Sequence, residues 1–398
     1  MGKYRQNDVY FLLGGNDNAT TYVVIARRDQ VRTNGVGGRR IGVITEGRFL
    51  TDLIREGDPI VDIIPAVKET SVENVVITRD MDYVLTDGCT VDSEVRIELD
   101  RDSPQTAEHI LILASRGYLD IQESSGTFAG CRDDMDVSIP EESSKVRDEG
   151  SVTVRNAGSG TGHIMFYKER RQMSPEINSA GRVTGGMPLV RHAKAGGRIA
   201  VRTDPPRLIT VGMTQKAAAE FLKAAGVKQV RKGDESDDAI VSDQVPEATM
   251  EAISKGEVET FGVPKDRILH IDVTAEPATA HYFRKVTGLS HKAVGQLKTQ
   301  FSFPDSPMVT FYGDEARAQD LEPQEKQFTK CKKGDVGVTN QARPHHGLIG
   351  IRLTDSKEFG PTGEEPYGTN MVGKVDGSLK GLDELEDDQI IYITEEKI

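Results

Sequence analysis

The side chains best suited to chemistry in this 398-residue chain cluster late in the sequence. Asn340, Arg343, His345 and His346 fall in one short run, Pro361, Thr362 and Glu364 follow in Phe359-Gly-Pro-Thr-Gly-Glu364, and Asn370 closes Gly368-Thr-Asn370. Turn formers there fix the backbone while amide, guanidinium, imidazole and carboxylate groups stand out from it, the make-up of a shaped contact loop. The eight residues form a candidate partner-binding loop. An inert barrel loop is the competing account, and a small-anion site built on Arg343, His345 and His346 is a third. A metal fits poorly, because adjacent residues of an extended chain face opposite ways and His345 and His346 could not readily share one ion.

Elsewhere the chemistry thins. Gly158-Ser-Gly-Thr-Gly162 has the glycines of a phosphate loop, yet it leads into the apolar run His163-Ile-Met-Phe-Tyr167 and not into a helix, so a tight turn is expected. Gly233-Asp-Glu-Ser-Asp-Asp238 lacks calcium-loop spacing and reads as a solvated turn. Cys89, Cys131 and Cys331 are far apart with no C-x-x-C pair, so no disulfide framework, thiolate metal site or cofactor is expected. Reduced thiols and a start without an apolar signal core point to the cytoplasm. A net charge of −13 argues against sequence-independent nucleic-acid binding, and the chain has no apolar run long enough to span a bilayer.

The elements that must position these residues occur twice. Val95-Arg-Ile-Glu-Leu99 and Pro104 with its apolar helix are answered by Ile268–Val273 and Pro277 with a second helix. Gly150-Ser-Val-Thr-Val-Arg-Asn156 is answered by Gly334-Asp-Val-Gly-Val-Thr-Asn340, and Asn178-Ser-Ala-Gly-Arg-Val183 by Asn370-Met-Val-Gly-Lys-Val375. The order holds while the spacing widens, as two copies of one fold with longer loops in the second would give. Each proline suits a helix start, where its missing N–H has no partner to lose. Alternation such as Ser151–Arg155 and the scarcity of long helices indicate antiparallel sheet curled into a barrel.

Four regions follow. Residues 1–90 form a small β-rich region with strands at 9–13, 22–26 and 40–44, turns at Gly14-Gly15, Asn34-Gly35 and Gly37-Gly38, and one helix over 47–58 closed by Gly57. Residues 91–204 form the first barrel. Residues 205–262 form a β-α-β connector: a strand at Leu208–Thr214, a Thr214-capped helix stopped by Gly226, and a strand at Ala239–Val241. Its V-G-M-T, A-x-x-x-L-x-x-x-G and Q-x-P resemble PASTA modules. Residues 263–398 form the second barrel, ending in a strand at Ile390–Thr394. The expected fold class is α+β, mainly β, with two tandem barrels.

Those barrels resemble cyclophilins. Gly334-Asp-Val-Gly-Val-Thr-Asn340 is similar to the cyclophilin Gly-x-hydrophobic-x-Met-Ala-Asn strand. Val372-Gly-Lys-Val-Asp-Gly377 is similar to the closing Phe-Gly-x-Val strand, with Gly181-Arg-Val183 its partner in the first copy. Neither copy carries the Phe-His-Arg motif whose arginine polarises the prolyl amide, and no Trp occurs in the chain. Without such a donor little remains to lower an amide rotation barrier of ~20 kcal/mol, so no enzyme activity is expected.

The whole arrangement resembles the methanogenesis marker protein 3 family from Gly47 onward, on Gly150–Gly158, Arg231-Lys-Gly-Asp-Glu-Ser-Asp-Asp-Ala-Ile240, Tyr282-Phe-Arg-Lys-Val-Thr-Gly-Leu289 and Glu358–Glu364. That resemblance implies a noncatalytic adaptor in the ATP-dependent activation of methyl-coenzyme M reductase in methanogenic archaea. The implied partners are the reductase, McrC, other methanogenesis marker proteins and the ATP-binding component A2. A divergent prolyl isomerase or peptide-binding chaperone acting on the reductase is the alternative.

Overall fold

A computed structural model describes residues 2–13, 21–32, 40–45, 48–60, 75–78, 80, 82–132 and 139–395. The chain divides into two units, Met1–Val84 and Leu85–Ile398. In the first, β1 (Gly2–Tyr4) pairs with β4 (Gln30–Arg32), and β2 (Asp8–Leu13) lies between β3 (Thr21–Ile25) and β5 (Gly42–Val43). Its small core stacks Tyr4 on Tyr10 at 4.0 Å beside Ala26. The expected helix over 47–58 shortens to α1 (Leu50–Leu53), which buries no residue and therefore has no packed face to lengthen it. Gly57 does sit in the left-handed region. The turns at Gly14-Gly15, Asn34-Gly35 and Gly37-Gly38, and Gly47 itself, lie outside the described residues.

The second unit begins with β6 (Val95–Leu99), whose Val95, Ile97 and Leu99 enter the core while Arg96 and Glu98 face out. Then come α2 (Pro104–Ala114), β7 (Tyr118–Ile121), β8 (Glu123–Ser124), β9 (Phe128–Cys131), β10 (Ser151–Arg155), β11 (Ile164–Tyr167), β12 (Ile177–Gly185), α3 (Met187–Arg191) and β13 (Gly197–Asp204). They form one sheet in the order β7-β13-β6-β12-β10-β11-β9-β8. Only Gln122 separates β7 from β8, and its N–H donates to the Gly130 carbonyl at 3.0 Å, so one bent strand meets both edges and curls the sheet into a barrel.

The connector holds α4 (Gln215–Ala224), β14 (Lys228–Gly233), β15 (Ile240–Val245), α5 (Thr249–Lys255) and β16 (Glu257–Val263), with sheet order β14-β16-β15. Thr214 caps α4 by accepting from the Ala217 N–H at 3.1 Å, and Gly226 ends it at positive φ. The strand expected at Leu208–Thr214 is not in the sheet. Side chains meet two of its amides, Leu208 N–H by Thr249 Oγ1 at 3.0 Å and Thr210 N–H by Gln244 Oε1 at 2.6 Å, and only its end touches β15, where Gly212 N–H donates to the Val241 carbonyl at 2.8 Å. The sheet is completed by β14 and β16.

The second barrel runs β17 (Ile268–Val273), α6 (Pro277–Thr287), β18 (Gly295–Phe301), β19 (Met308–Phe311), β20 (Asp335–Thr339), β21 (Ile349–Arg352), β22 (Thr369–Asp376) and β23 (Ile390–Thr394), closed in the order β17-β22-β20-β21-β19-β18-β23. Strand for strand, this is the neighbour order of the first barrel. In each copy the final strand lies parallel to the opening one, β13 against β6 and β23 against β17. Both helices start on their prolines, and Ala107, Ile110 and Leu111 of α2 or Ala280 and Phe283 of α6 are buried.

One largely buried arginine ties the three parts of this unit together. Arg207 Nε donates to Glu108 Oε1 of α2 at 2.7 Å, and its Nη1 donates to the His291 carbonyl beyond α6 at 2.8 Å. Glu108 Oε2 accepts from the Thr249 N–H of the connector at 2.8 Å. A second joint is ionic: His291 and Lys292 hold the Glu247 carboxyl down to about 2, Lys292 at 3.0 Å, against the opposing effect of partial burial. A depressed carboxyl contributes stability above its unfolded value, near 4.5, and loses it as pH falls through the folded one. The melting-temperature gap between the protein and Glu247→Gln should therefore be open at pH 4.5 and close as pH falls towards 2.

Candidate functional site on the second barrel

Asn370 begins this site from the inside. On β22 and 1% exposed, its Nδ2 donates to Thr279 Oγ1 of α6 at 3.1 Å and to the Glu322 carbonyl at 2.8 Å. Its Oδ1 accepts from Asn340 Nδ2 at 2.9 Å and from the Gln324 N–H at 3.0 Å, and Asn340 also donates to the Tyr367 carbonyl at 2.9 Å.

The first barrel repeats this network bond for bond. Asn178 Nδ2 donates to Thr106 Oγ1 at 2.9 Å and to the Pro140 carbonyl at 2.7 Å, and Oδ1 accepts from Asn156 Nδ2 at 2.7 Å and the Glu142 N–H at 3.1 Å. Asn156 donates to the Pro175 carbonyl at 3.0 Å. A further bond survives a change of residue. Tyr282 OH donates to the Gly347 carbonyl at 2.7 Å where His109 Nε2, at the same place after the helix-starting proline, meets the Gly162 carbonyl at 2.9 Å. Burial pushes the Tyr282 phenol up to about 12, which keeps it protonated as a donor. Gly162 and Gly347 both hold φ near +90°, which side chains rarely adopt.

Asn340 and Asn370 are thus turned inward and anchor a helix to its barrel. Nearer the surface, the Arg343 guanidinium is ion-paired with Glu364 at 2.9 Å and also with Glu365. His346 Nδ1 meets the Arg343 carbonyl at 3.1 Å, while His345 is exposed and its carbonyl accepts from Thr339 Oγ1 at 3.0 Å. Thr362 Oγ1 and Thr369 Oγ1 are 2.8 Å apart in a buried pair. The structure therefore brings Arg343, His346 and Glu364 into one surface cluster. An incoming anion would have to displace two carboxylates from the guanidinium.

Pro361 belongs to a flap that sequence reasoning did not isolate. Gly337 of β20 and Gly350 of β21 are cross-strand partners, and both face outward because Val336, Val338, Ile349 and Ile351 fill the core. A Cβ on Gly350 would lie 2.3 Å from the Pro361 carbonyl oxygen, and one on Gly337 would lie 3.1 Å from Pro361 Cγ. The same outer wall carries Arg352, 6% exposed, whose Nε donates to the Thr354 carbonyl at 2.9 Å and whose Nη1 reaches the Gly360 carbonyl at 3.4 Å. The flap thus sits on a glycine saddle and is held by a buried arginine. The signal was present in Val336-Gly-Val338 and Ile349-Gly-Ile351, where glycine occupies every outward position between core residues. The first barrel has Thr153 and Met165 at the matching pair.

Gly158–Gly160 forms a short 3-10 turn leading through Gly162 into β11, as a tight turn should. Of the cysteines, Cys89 is exposed and the other two are buried; burial, with Asp335 nearby, pushes the Cys331 thiol up to about 12. Because the thiolate is the reactive form, Ellman's reagent should titrate Cys89 rapidly in the native protein and Cys131 and Cys331 only after denaturation. Among the described residues no group of three or more His, Cys, Asp or Glu could hold a metal ion, and no helix is long and apolar enough to cross a membrane.

A family model described as "Putative peptidyl-prolyl cis-trans isomerase domain" matches residues 268–396, the span from β17 through β23. A UPF0288 protein of Methanothermobacter thermautotrophicus is 35% identical over 398 residues, covering 99% of this chain and 76% of that one. UPF0288 proteins of Methanopyrus kandleri (34% identical; 96% of this chain, 76% of that one) and Methanococcus aeolicus (33%; 94% and 74%) are similar along the same length. Likeness at that level through both barrels and the connector means that the chain belongs to the UPF0288 family of methanogenic archaea.

Proposed function

We propose that this chain is a noncatalytic adaptor subunit of the ATP-dependent assembly that activates methyl-coenzyme M reductase, as its resemblance to methanogenesis marker protein 3 implies. One observation carries the noncatalytic half of that reading. The outer wall of the isomerase-like barrel is occupied by its own flap, with Pro361 on Gly337 and Gly350 and with the Arg352 guanidinium reaching the Gly360 carbonyl at 3.4 Å. A rotamase needs an open groove with a donor aimed at the amide nitrogen, because the barrier it must lower is ~20 kcal/mol. The occurrence of the relatives in methanogens supports the other half. Partners are held by surface loops, among them the Arg343, His346 and Glu364 cluster and the exposed His345 beside it; they are the reductase, McrC, other methanogenesis markers and the A2 component. Anaerobic affinity purification of the tagged chain from a methanogen should recover them together, and a lone chain would defeat the proposal.

The description of the matching family model favours a second reading, a divergent prolyl isomerase or peptide-binding chaperone for the reductase. A chymotrypsin-coupled proline peptide assay separates the two. Turnover above the uncatalysed rate that disappears with Arg352→Ala would establish the second.

A further inference from the structure

A cleft of about 380 Å³ opens on the wall of the second barrel away from the glycine saddle, between the end of α6, β18 and the turn after β19. Its apolar surface comes from Val286, Ile390 and the ring of Tyr312, and its polar groups from Gln296, Lys298, Asp314 and Arg317. In this acidic chain it gathers two cations over an apolar floor. Lys298 Nζ stands 5.4 Å from the Tyr312 ring centroid. The Gln296 amide, half-buried, has no hydrogen-bond partner among the described residues. The wall is fixed in advance, since the Asp314 N–H donates to the buried Tyr282 hydroxyl at 2.9 Å.

Each cation already meets a carboxylate. Lys298 Nζ meets Asp388 Oδ1 at 2.6 Å and Arg317 Nε meets Asp314 Oδ2 at 3.3 Å, both in solvent-exposed pairs. Such pairs are worth little and exchange readily. A dianion would be repelled by Asp314 and Asp388, whereas a single carboxylate could replace Asp388 on Lys298 with its charge matched. The volume exceeds what a bare carboxylate fills, which leaves room for an aliphatic or aromatic body against Val286, Ile390 and Tyr312.

We infer that this cleft binds a monocarboxylate with an apolar body, the chemistry shared by a free organic acid and a polypeptide's C-terminal residue. The inference does not depend on the adaptor reading. Titrating the full chain with 3-phenylpropionate and 3-phenylpropionamide, followed by amide-resolved NMR, tests it. The acid should bind about 10-fold more tightly than the amide, as expected for a charge-assisted contact. Asp388→Asn, which removes the resident competitor, should tighten the acid further, and Lys298→Met with Arg317→Met should abolish the preference while leaving the melting temperature nearly unchanged. N-acetyl-Leu-Phe with a free C-terminus, run beside its C-terminal amide, distinguishes the sources: tighter binding than phenylpropionate means a polypeptide end, weaker binding a small acid, and either supports the site provided the free terminus is preferred. Equal binding of acid and amide, or no shifts at Gln296, Lys298 and Tyr312 with Asp388→Asn at millimolar ligand, overturns it.

Discussion

Arg207→Ala should lower stability by about 3–5 kcal/mol in urea denaturation, the range for removing one partner of a buried ion pair. The Arg207 and Glu108 side chains are only 12% and 7% exposed, so alanine leaves a carboxylate without its cation in the joint between the first barrel and the connector. The His291 carbonyl, in the second barrel, loses its donor in the same step. The damage should be cooperative, with hydrogen exchange rising near Glu108, Thr249 and His291 together. Glu108→Gln with Arg207→Met, which removes both charges, should recover a substantial part of the loss. An effect under about 1 kcal/mol would mean that water reaches this pair.

Asn370→Ala and Asn178→Ala should each cost about 3 kcal/mol, and by similar amounts, because each removes four matched bonds and leaves buried partners unsatisfied at about 1–3 kcal/mol apiece without full additivity. Asn370→Ala strands Asn340 Nδ2, the Gln324 N–H, Thr279 Oγ1 and the Glu322 carbonyl. Asn178→Ala strands Asn156 Nδ2, the Glu142 N–H, Thr106 Oγ1 and the Pro140 carbonyl. Aspartate should rescue neither site, since it keeps the acceptor and loses both donors. A large cost in one barrel with almost none in the other would show that only one copy still uses the amide to hold its helix.

Much of this architecture could be read before any coordinates. Proline at a helix start, a strand of alternating core residues and an asparagine followed by Ser-Ala-Gly or Met-Val-Gly recur in one order, and each corresponds to an element of the repeated barrel. What Asn340 and Asn370 do was not legible. An amide among turn formers looks like a contact group, and only the return of the chain past α6 shows that it faces inward. The connector failed differently. Leu208–Thr214 is apolar enough for a strand, but Thr249 and Gln244 take the Leu208 and Thr210 amides, whereas β14 has only Val230 to advertise it in Lys228-Gln-Val-Arg-Lys232. The glycine saddle needed the cross-strand register of Gly337 with Gly350, which one-dimensional spacing does not supply.

Curling each sheet until its first and last strands meet has a further effect on how this acidic protein behaves in a crowded cell. A closed ring of strands offers no row of unpaired amides on which a neighbouring chain could template itself. The second barrel can therefore be brought against other subunits without offering a strand edge to seed fibrous stacks, and association there is left to side chains and loops.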